Sequence, residues 1–144
     1  EAHFMIQDDV YRRLRAAPAS AGYAPMSVLV QGLAELKLAR RAAPALFHPR
    51  PRVDSVFFTL RRRPDPPVDR RQVSVAYRWL RLLFGHRRKL LKSTLQELEE
   101  TRGRLPESVW EYAGKRAEVL HPESFLRMSA ALAPLPLAGR MPAR

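Results

Sequence analysis

The stretch from Phe47 to Ser55 holds the residue types best suited to chemistry in this chain. It reads Phe-His-Pro-Arg-Pro-Arg-Val-Asp-Ser, and a strand-like apolar run over 56–60 follows directly. Pro49 and Pro51 each fix the backbone φ angle and lack an amide donor, and each favours extended geometry in the residue before it. The pattern predicts a stiff, extended, basic segment that presents the ring of Phe47 to a flat ligand. The same pattern is also typical of a plain rigid loop in which Phe47 belongs to the core.

The charge balance favours a nucleic-acid partner. The chain has 26 Lys and Arg residues against 14 Asp and Glu, a net charge of +12. Between residues 61 and 92 there are eleven basic residues against Asp65 and Asp69, a net charge of +9. Most of them are arginines, which suit bidentate contact with phosphate, and such a concentration is the electrostatic footprint of a nucleic-acid binder. The alternative is a solvated face in a protein rich in Ala, Arg and Pro.

Several kinds of site are excluded by composition. There is no cysteine, so disulfides, zinc-thiolate sites and thiol catalysis are absent. The four histidines show no ligand spacing, and no metal site is expected. The six glycines are scattered, so no glycine-rich phosphate or cofactor loop is present. The sequence also contains no asparagine. Glu97, Glu99 and Glu100 are predicted to face solvent on a helix rather than to act as a general acid and base. No apolar run is long enough to predict a membrane span.

The elements that must position these residues begin with strands and helices in alternation. A short buried strand is predicted over 3–7, and Asp8 and Asp9 suit the start of a helix that follows it. After a loop over 18–25, Ser27 is predicted to cap a helix over 28–32. Strands over 33–38 and 53–61 then flank a turn at 42–46 and the Phe47 segment. This order predicts the closing strands and helices of an α/β sheet whose opening units are missing.

From residue 64 onward the pattern becomes helical. The proline-rich residues 64–69 are predicted to be a linker. Helices are predicted over 73–84 and 86–100, with Arg87, Arg88, Lys89 and Lys92 at the start of the second. Two more are predicted to open at Pro106 and Pro122. These form a helical domain over 70–133, and residues 134–144 are predicted to be a disordered tail.

Five blocks of sequence, in order, resemble the C-terminal portion of the ribosomal RNA adenine N6-dimethyltransferases. The blocks are FMIQDDVYRRL at 4–14, SVLVQ at 27–31, FHPRPRVDSVFFTLRRR at 47–63, FGHRRKLLKSTL at 84–95 and RAEVLHPESFLRM at 116–128. The Arg-Arg-Lys run and the Arg-Ala-Glu segment favour the small-subunit branch over the macrolide-resistance methylases. The resemblance covers nearly the whole chain, to about Leu132.

This resemblance implies a fold and a function. The expected fold is α/β, with residues 1–63 closing a Rossmann-like, class I S-adenosylmethionine-dependent methyltransferase sheet, followed by the small all-α domain over 70–133. The implied reaction dimethylates adenines of small-subunit rRNA in the assembling ribosomal subunit, with S-adenosylmethionine as cofactor and the cytoplasm as location. Phe47 matches the ring that stacks on the flipped target adenine. Arg50 and Arg52 are expected to contact nearby phosphates, and Arg87, Arg88, Lys89 and Lys92 to hold the rRNA backbone, aided by a helix N-terminus.

The chain also departs from the family. The glycine-rich cofactor loop, the ribose-binding acid and the Asn-containing catalytic motif lie upstream of the matching portion, so the isolated chain is expected to neither bind cofactor nor transfer methyl groups. Asp8 and Asp9 stand where the family usually has Lys-Glu. The chain begins at Glu1, with no visible signal or transit segment, and is expected to be cut from a longer protein and poorly soluble alone. The alternative is a non-catalytic basic RNA-binding or ribosome-assembly protein; a DNA-binding helical protein fits less well because it ignores the strands.

Overall fold

The protein is described by a computed structural model that covers residues 1–135. Three strands, β1 (Ala2–Gln7), β2 (Ala34–Ala42) and β3 (Ser55–Arg62), lie in the first half of the chain. Helices α1 (Asp8–Leu14) and α2 (Pro25–Leu33) precede β2, and α3 (Val73–Phe84), α4 (Leu91–Arg102) and α5 (Pro122–Leu132) follow β3. Short 3-10 helices form at Pro44–Leu46, Glu107–Tyr112 and Ala117–Val119. The predicted tail over 134–144 lies largely outside the described residues.

The three strands form one antiparallel sheet in the order β1-β3-β2. Gln7 and Ala42 both stand opposite Ser55, so the end of β1, the end of β2 and the start of β3 share one edge of the sheet. Strand β2 continues to Ala42, beyond its predicted end at Leu38, and its pairing with β3 shifts register between Leu38 and Arg40. The expectation that the first strand is buried was wrong. Phe4 and Met5 are 43% and 50% exposed, because within the described residues β1 pairs with β3 alone and lies at the margin of the sheet.

Helix α1 begins where capping rules predict, whereas helix α2 begins about one turn earlier than they predict. Helix α1 starts at Asp8 as predicted, with Asp8 and Asp9 in its first turn. Helix α2 starts at Pro25, three residues before the predicted start, and Ala24 is its N-cap. Proline suits the first helical position because the amide it lacks has no partner there. Ser27 therefore lies inside the helix, where its hydroxyl donates to the carbonyl of Arg13 at 2.7 Å and accepts the amide of Ala24 at 3.2 Å.

Two of the four later helices differ from their predicted form. Helix α3 occupies its predicted range and α5 begins at Pro122 as predicted, whereas α4 begins at Leu91 rather than His86. Residues 86–89 form turns instead, because the amides of Leu91 and Lys92 donate to the carbonyls of Lys115 and Ala113, at 2.8 and 2.9 Å, and fix the start of the helix there. The segment after Pro106 is a short 3-10 helix, Glu107–Tyr112.

Two hydrophobic cores of unequal size hold these elements. The smaller lies under the sheet and contains Tyr11, Val56 and Phe58. The larger is built on Trp79, Phe125 and their neighbours in α3, α4 and α5, and it includes Tyr23 and Val28 from the part of the chain before the predicted linker. Helix α2 thus packs on α3 and α5. The division into domains at 64–69 stays a prediction, while the α/β class with a small antiparallel sheet is observed.

Candidate nucleic-acid interface

Phe47 lies at the edge of the sheet where β1 and β2 end and β3 begins. The 3-10 helix Pro44–Leu46 carries the chain out of β2, and the amide of Phe47 donates to the carbonyl of Pro44 at 3.2 Å. The residue is half-buried. That position is compatible with a stacking platform, and the adenine-stacking role of Phe47 stays a prediction.

The segment from Phe47 to Asp54 is not the straight rod that its two prolines predict. The chain bends at residues 47–49 and again at 52–53, and the peptide bond between His48 and Pro49 is cis. The sequence contains no local signal that distinguishes the cis isomer from the trans isomer. Arg50 and Arg52 are both exposed on this bent segment, so their guanidinium groups are accessible to a ligand.

A buried carboxylate with two arginines lies at the same edge. The backbone amide of Asp8 donates to the carbonyl of Asp54 at 2.9 Å, which joins the start of α1 to the end of the Phe47 segment. Its carboxylate pairs with Arg12 at 2.5 Å and with Arg41 at 2.9 Å. Sequence reasoning did not assign Arg12 or Arg41 to a site. The spacing of Asp8 and Arg12, four residues apart on a helix, predicts their ion pair, but nothing local identifies Arg41.

The predicted backbone-binding residues after α3 lie in turns rather than at a helix start. Arg88 and Lys89 are exposed, and with Phe84, Gly85 and Glu118 they line an open cleft. Lys92 is exposed on the first turn of α4. The expectation that the dipole of this helix assists them was wrong for Arg87, Arg88 and Lys89, because the first amides of α4 already donate to the carbonyls of Lys115 and Ala113.

Arg87 makes internal contacts that its neighbours do not share. Its Nε donates to the Glu118 carboxylate at 3.0 Å, and its two terminal nitrogens lie 3.4 and 3.5 Å from the carbonyl oxygens of Ser20 and Ala21. The residue is half-buried. Arg87 therefore joins the loop after α1 to the 3-10 helix Ala117–Val119, and much of its donor capacity is already used. The structure places this group and Phe47 on different elements, one on the α3–α4 connection and one at the sheet edge.

The described glycines do not fit a binding site for S-adenosylmethionine. Gly32 is a packing position in α2, where an added Cβ would lie 2.3 Å from Leu126, and Gly103 ends α4 with a φ of 86°. They lie on separate elements, whereas a cofactor loop needs several glycines together at a strand-to-helix turn. No step that uses this cofactor is therefore assigned to residues of this part of the chain.

Residues 1–135 hold no group of three or more His, Cys, Asp or Glu side chains arranged to bind a metal ion. None of their helices has the length and apolar character needed to cross a bilayer. The candidate interface thus rests on Phe47, on the exposed arginines and lysines, and on the Asp8 network.

The amino-acid sequence of the chain is similar to that of a known protein family. The model of the family described as ribosomal RNA adenine dimethylase matches residues 1–133. A relative from Clostridium botulinum, named ribosomal RNA small subunit methyltransferase A, is 34% identical over 129 residues, which is 87% of this chain and 46% of that protein. The chain thus spans about half the length of this relative.

Solved structures share the fold. A dimethyladenosine transferase from Plasmodium falciparum superposes with a TM-score of 0.74 at 20% sequence identity, over 92% of this chain and 58% of that one. The 23S rRNA methyltransferase ErmE gives a TM-score of 0.53 at 21% identity, over 91% of this chain and 54% of that one. At such identities the likeness concerns the fold alone. The match of the family model over nearly the whole described chain, together with the botulinum relative, shows that this chain belongs to the ribosomal RNA adenine dimethylase family.

Proposed function

We propose that this chain is the C-terminal part of an S-adenosylmethionine-dependent rRNA adenine N6,N6-dimethyltransferase that acts on small-subunit rRNA in the cytoplasm, during assembly of the subunit. The observation that carries the proposal is the family match over residues 1–133, which includes the Phe47 segment. In this proposal the three strands are the closing strands of the class I methyltransferase sheet, and the helices after residue 69 form a small all-α domain that docks on RNA.

Phe47 supplies one face of the pocket for the target base. Methyl transfer to the exocyclic amine requires an adenine turned out of the RNA stack, and an aromatic ring stabilises such a base by stacking, at about 1–3 kcal/mol per base. The half-buried position of Phe47 supports this role, because a stacking residue must be partly held by the protein and partly accessible to a ligand.

The exposed cations supply contacts to the RNA backbone. Arg50 and Arg52 contact phosphates beside the flipped base, and Arg88, Lys89 and Lys92 hold the backbone further along the RNA. Arg87 has a different part in this surface, because its contacts to Glu118 and Ser20 stabilise the turn that presents Arg88 and Lys89. Such contacts weaken steeply as salt concentration rises.

The test is binding of the 144-residue chain to a labelled hairpin that contains two adjacent unmethylated adenines from the 3′ end of small-subunit rRNA. Phe47→Leu keeps an apolar side chain and removes the ring, so affinity is expected to fall about fivefold or more, whereas Phe47→Trp retains it. Phe57, an exposed phenylalanine on the sheet, provides the matched control, and Phe57→Leu is expected to leave affinity unchanged. Equal affinity of the unsubstituted chain and Phe47→Leu would remove the stacking role.

A second candidate function is a non-catalytic RNA-binding or ribosome-assembly protein. It is favoured by the described glycines, which do not form a cofactor loop. The reading frame upstream of Glu1 separates the two candidates. An in-frame glycine-rich loop and a catalytic motif containing asparagine support the enzyme, and a start codon with a ribosome-binding site directly before Glu1 supports the non-catalytic protein.

A further inference from the structure

Asp8 carries two arginines on one buried carboxylate. The residue is 6% exposed. Its Oδ2 pairs with Nη2 of Arg12 at 2.5 Å, and its Oδ1 pairs with Nη1 of Arg41 at 2.9 Å. One guanidinium comes from α1 and the other from β2, so the carboxylate fixes two cations from separate elements beside each other.

Most of the hydrogen-bonding capacity of these two arginines is left over. A guanidinium has five N–H donors, and each of these pairs with Asp8 through one nitrogen. The side chains of Arg12 and Arg41 are 69% and 54% exposed. Two positive charges share one negative charge, which leaves a net charge of +1 with open donors. Paired planar donors of this kind match the oxygens of a phosphate, and arginines already held in place lose less conformational entropy on binding.

The pair lies beside the Phe47 segment. The amide of Asp8 donates to the carbonyl of Asp54, the last residue before β3. Arg41 stands opposite Val56 in the sheet, next to the row in which Ala42, Ser55 and Gln7 align. An anion held by these arginines would therefore lie at the same edge of the sheet as the ring of Phe47.

We propose that Arg12 and Arg41, oriented by Asp8, form a clamp for one backbone phosphate of the RNA strand whose base stacks on Phe47. This inference rests on the proposed function and assigns a binding site to residues outside the basic cluster at 61–92. Asp8 is a positioning residue in the clamp. Its carboxylate is buried and both oxygens are paired, so the phosphate meets the guanidinium groups rather than the acid.

The first test is binding of the 144-residue chain to the same rRNA hairpin, measured by fluorescence anisotropy over a series of salt concentrations. Arg12→Gln and Arg41→Gln are each expected to weaken binding about tenfold and to lower the slope of log affinity against log salt by about 0.7 to 0.9, as for one lost phosphate contact. Arg13→Gln is the matched control. It removes the same charge from the neighbouring, exposed position of α1 and is expected to change affinity by less than about twofold.

The second test separates an oriented clamp from a diffuse positive field. Asp8→Asn adds one unit of net positive charge but removes the group that orients both arginines. A diffuse field predicts tighter RNA binding by this variant, whereas the clamp predicts binding weaker by about fivefold or more. Circular dichroism and thermal unfolding check that the variant is folded. Should Asp8→Asn unfold, the double variant Arg12→Gln/Arg41→Gln decides. Because both side chains hold one phosphate, the fold-loss of affinity in the double variant is expected to be smaller than the product of the fold-losses in the two single variants.

The outcomes distinguish this inference from the proposed function. If Phe47→Leu weakens binding while the arginine variants match Arg13→Gln, the clamp is refuted and the function stands. If Asp8→Asn is folded and binds RNA more tightly than the unsubstituted chain, orientation by Asp8 is likewise refuted. Failure of the unsubstituted chain to bind the hairpin at low salt overturns both.

Discussion

Two buried tyrosines differ in whether the hydroxyl has a partner. The hydroxyl of Tyr23 donates to the carbonyl of Leu120 at 2.7 Å and joins the loop before α2 to the start of α5. The hydroxyl of Tyr11 is buried under the sheet without a hydrogen-bond partner among the described residues. Removal of one partner from a buried hydrogen bond costs about 1–3 kcal/mol, whereas removal of an unpaired hydroxyl costs nothing or is favourable.

We therefore expect Tyr23→Phe to lower the free energy of unfolding by about 1–2 kcal/mol, and Tyr11→Phe to leave it unchanged or raise it slightly. Urea denaturation followed by circular dichroism measures both. The two variants delete the same atom, so each serves as the control for the other. Equal destabilisation by both would mean that the hydroxyl of Tyr11 also has a partner.

Burial also raises the pKa of the Tyr23 phenol above its usual range. The folded protein therefore keeps this proton at pH values where the unfolded chain, with a pKa of about 10, has lost it. The stabilising contribution is fully present below pH 10 and declines as the pH rises above it. Unfolding free energies measured between pH 8 and pH 11 should fall more steeply for the unsubstituted chain than for Tyr23→Phe. Parallel pH profiles would contradict this assignment.

At the residue scale, the sequence could predict that Phe47 precedes a strand, but not which cations have internal partners. Phe47 stands out because two prolines follow it, and its place before β3 follows from the strand-like run over 56–60. Its adenine-stacking role stays a prediction. The internal contacts of Arg87 and the pairing of Arg41 with Asp8 join residues 31 to 67 positions apart. Composition and spacing contain no signal for contacts of that range.

At the element scale, helices α2 and α5 are held together by a close approach at Gly32. An added Cβ at this position would lie 2.3 Å from Cδ1 and 3.1 Å from Cγ of Leu126. Glycine lowers helix stability by about 1 kcal/mol relative to alanine, so helix propensity alone predicts that Gly32→Ala stabilises. The packing predicts the opposite, because the leucine cannot move away without disturbing the larger core.

We expect Gly32→Ala to lower the free energy of unfolding by about 1–3 kcal/mol. In a chain that already carries Leu126→Ala, the same substitution is expected to lower the free energy of unfolding by less, because the clashing leucine is gone. Gly114→Ala is the matched control, since an added Cβ there meets no atom within 4 Å. Thermal unfolding of the four variants gives the coupling between the two positions. Stabilisation by Gly32→Ala would show that α2 does not pack on α5 in solution.

The boundaries of α4 show why element starts were predicted less well than element types. Its apolar residues repeat at helical spacing from Leu90 onward, which predicts a helix, but residues 86–89 are His, Arg, Arg and Lys and give no apolar signal for where it begins. The actual start at Leu91 depends on carbonyl groups of Ala113 and Lys115 that accept its first amides. These carbonyl groups belong to a segment more than twenty positions away, so tertiary structure rather than local pattern determines where the helix begins.

At the scale of the whole molecule, the proposed function predicts that this chain binds RNA but does not catalyse methyl transfer, because the cofactor and catalytic motifs lie elsewhere. Incubation of the 144-residue chain with S-adenosylmethionine and unmethylated small-subunit rRNA is expected to give no methyl transfer, and calorimetry no heat of cofactor binding. A relative that contains the upstream half serves as the positive control. Methyl transfer by the isolated chain would contradict the proposal that the cofactor and catalytic motifs lie elsewhere.

The two cores differ in size, and this predicts unequal stability across the molecule. Tyr11, Val56 and Phe58 are the buried residues of the core under the sheet, whereas the core of the helices is much larger and contains Trp79 and Phe125. Burial of apolar surface contributes about 25 cal/mol per Å², and local opening is favoured where few apolar contacts are lost. The exposed Phe4 and Met5 on β1 further indicate that the sheet gains less from burial than the helices do.

We therefore expect backbone amides of β1 and β2 to exchange with deuterium faster than those of α3 and α5 by about tenfold or more, since a difference of 1.4 kcal/mol in opening free energy corresponds to a factor of ten. Hydrogen exchange with peptide-level mass spectrometry measures this. Phe58→Ala is expected to accelerate exchange in the strands while leaving α3 and α5 protected, and Phe125→Ala to affect the helices. A single, sharp thermal transition with equal protection in all elements would show instead that the sheet and the helices unfold as one unit. Such a transition would also contradict the expectation that the chain is poorly soluble because it exposes an apolar sheet edge.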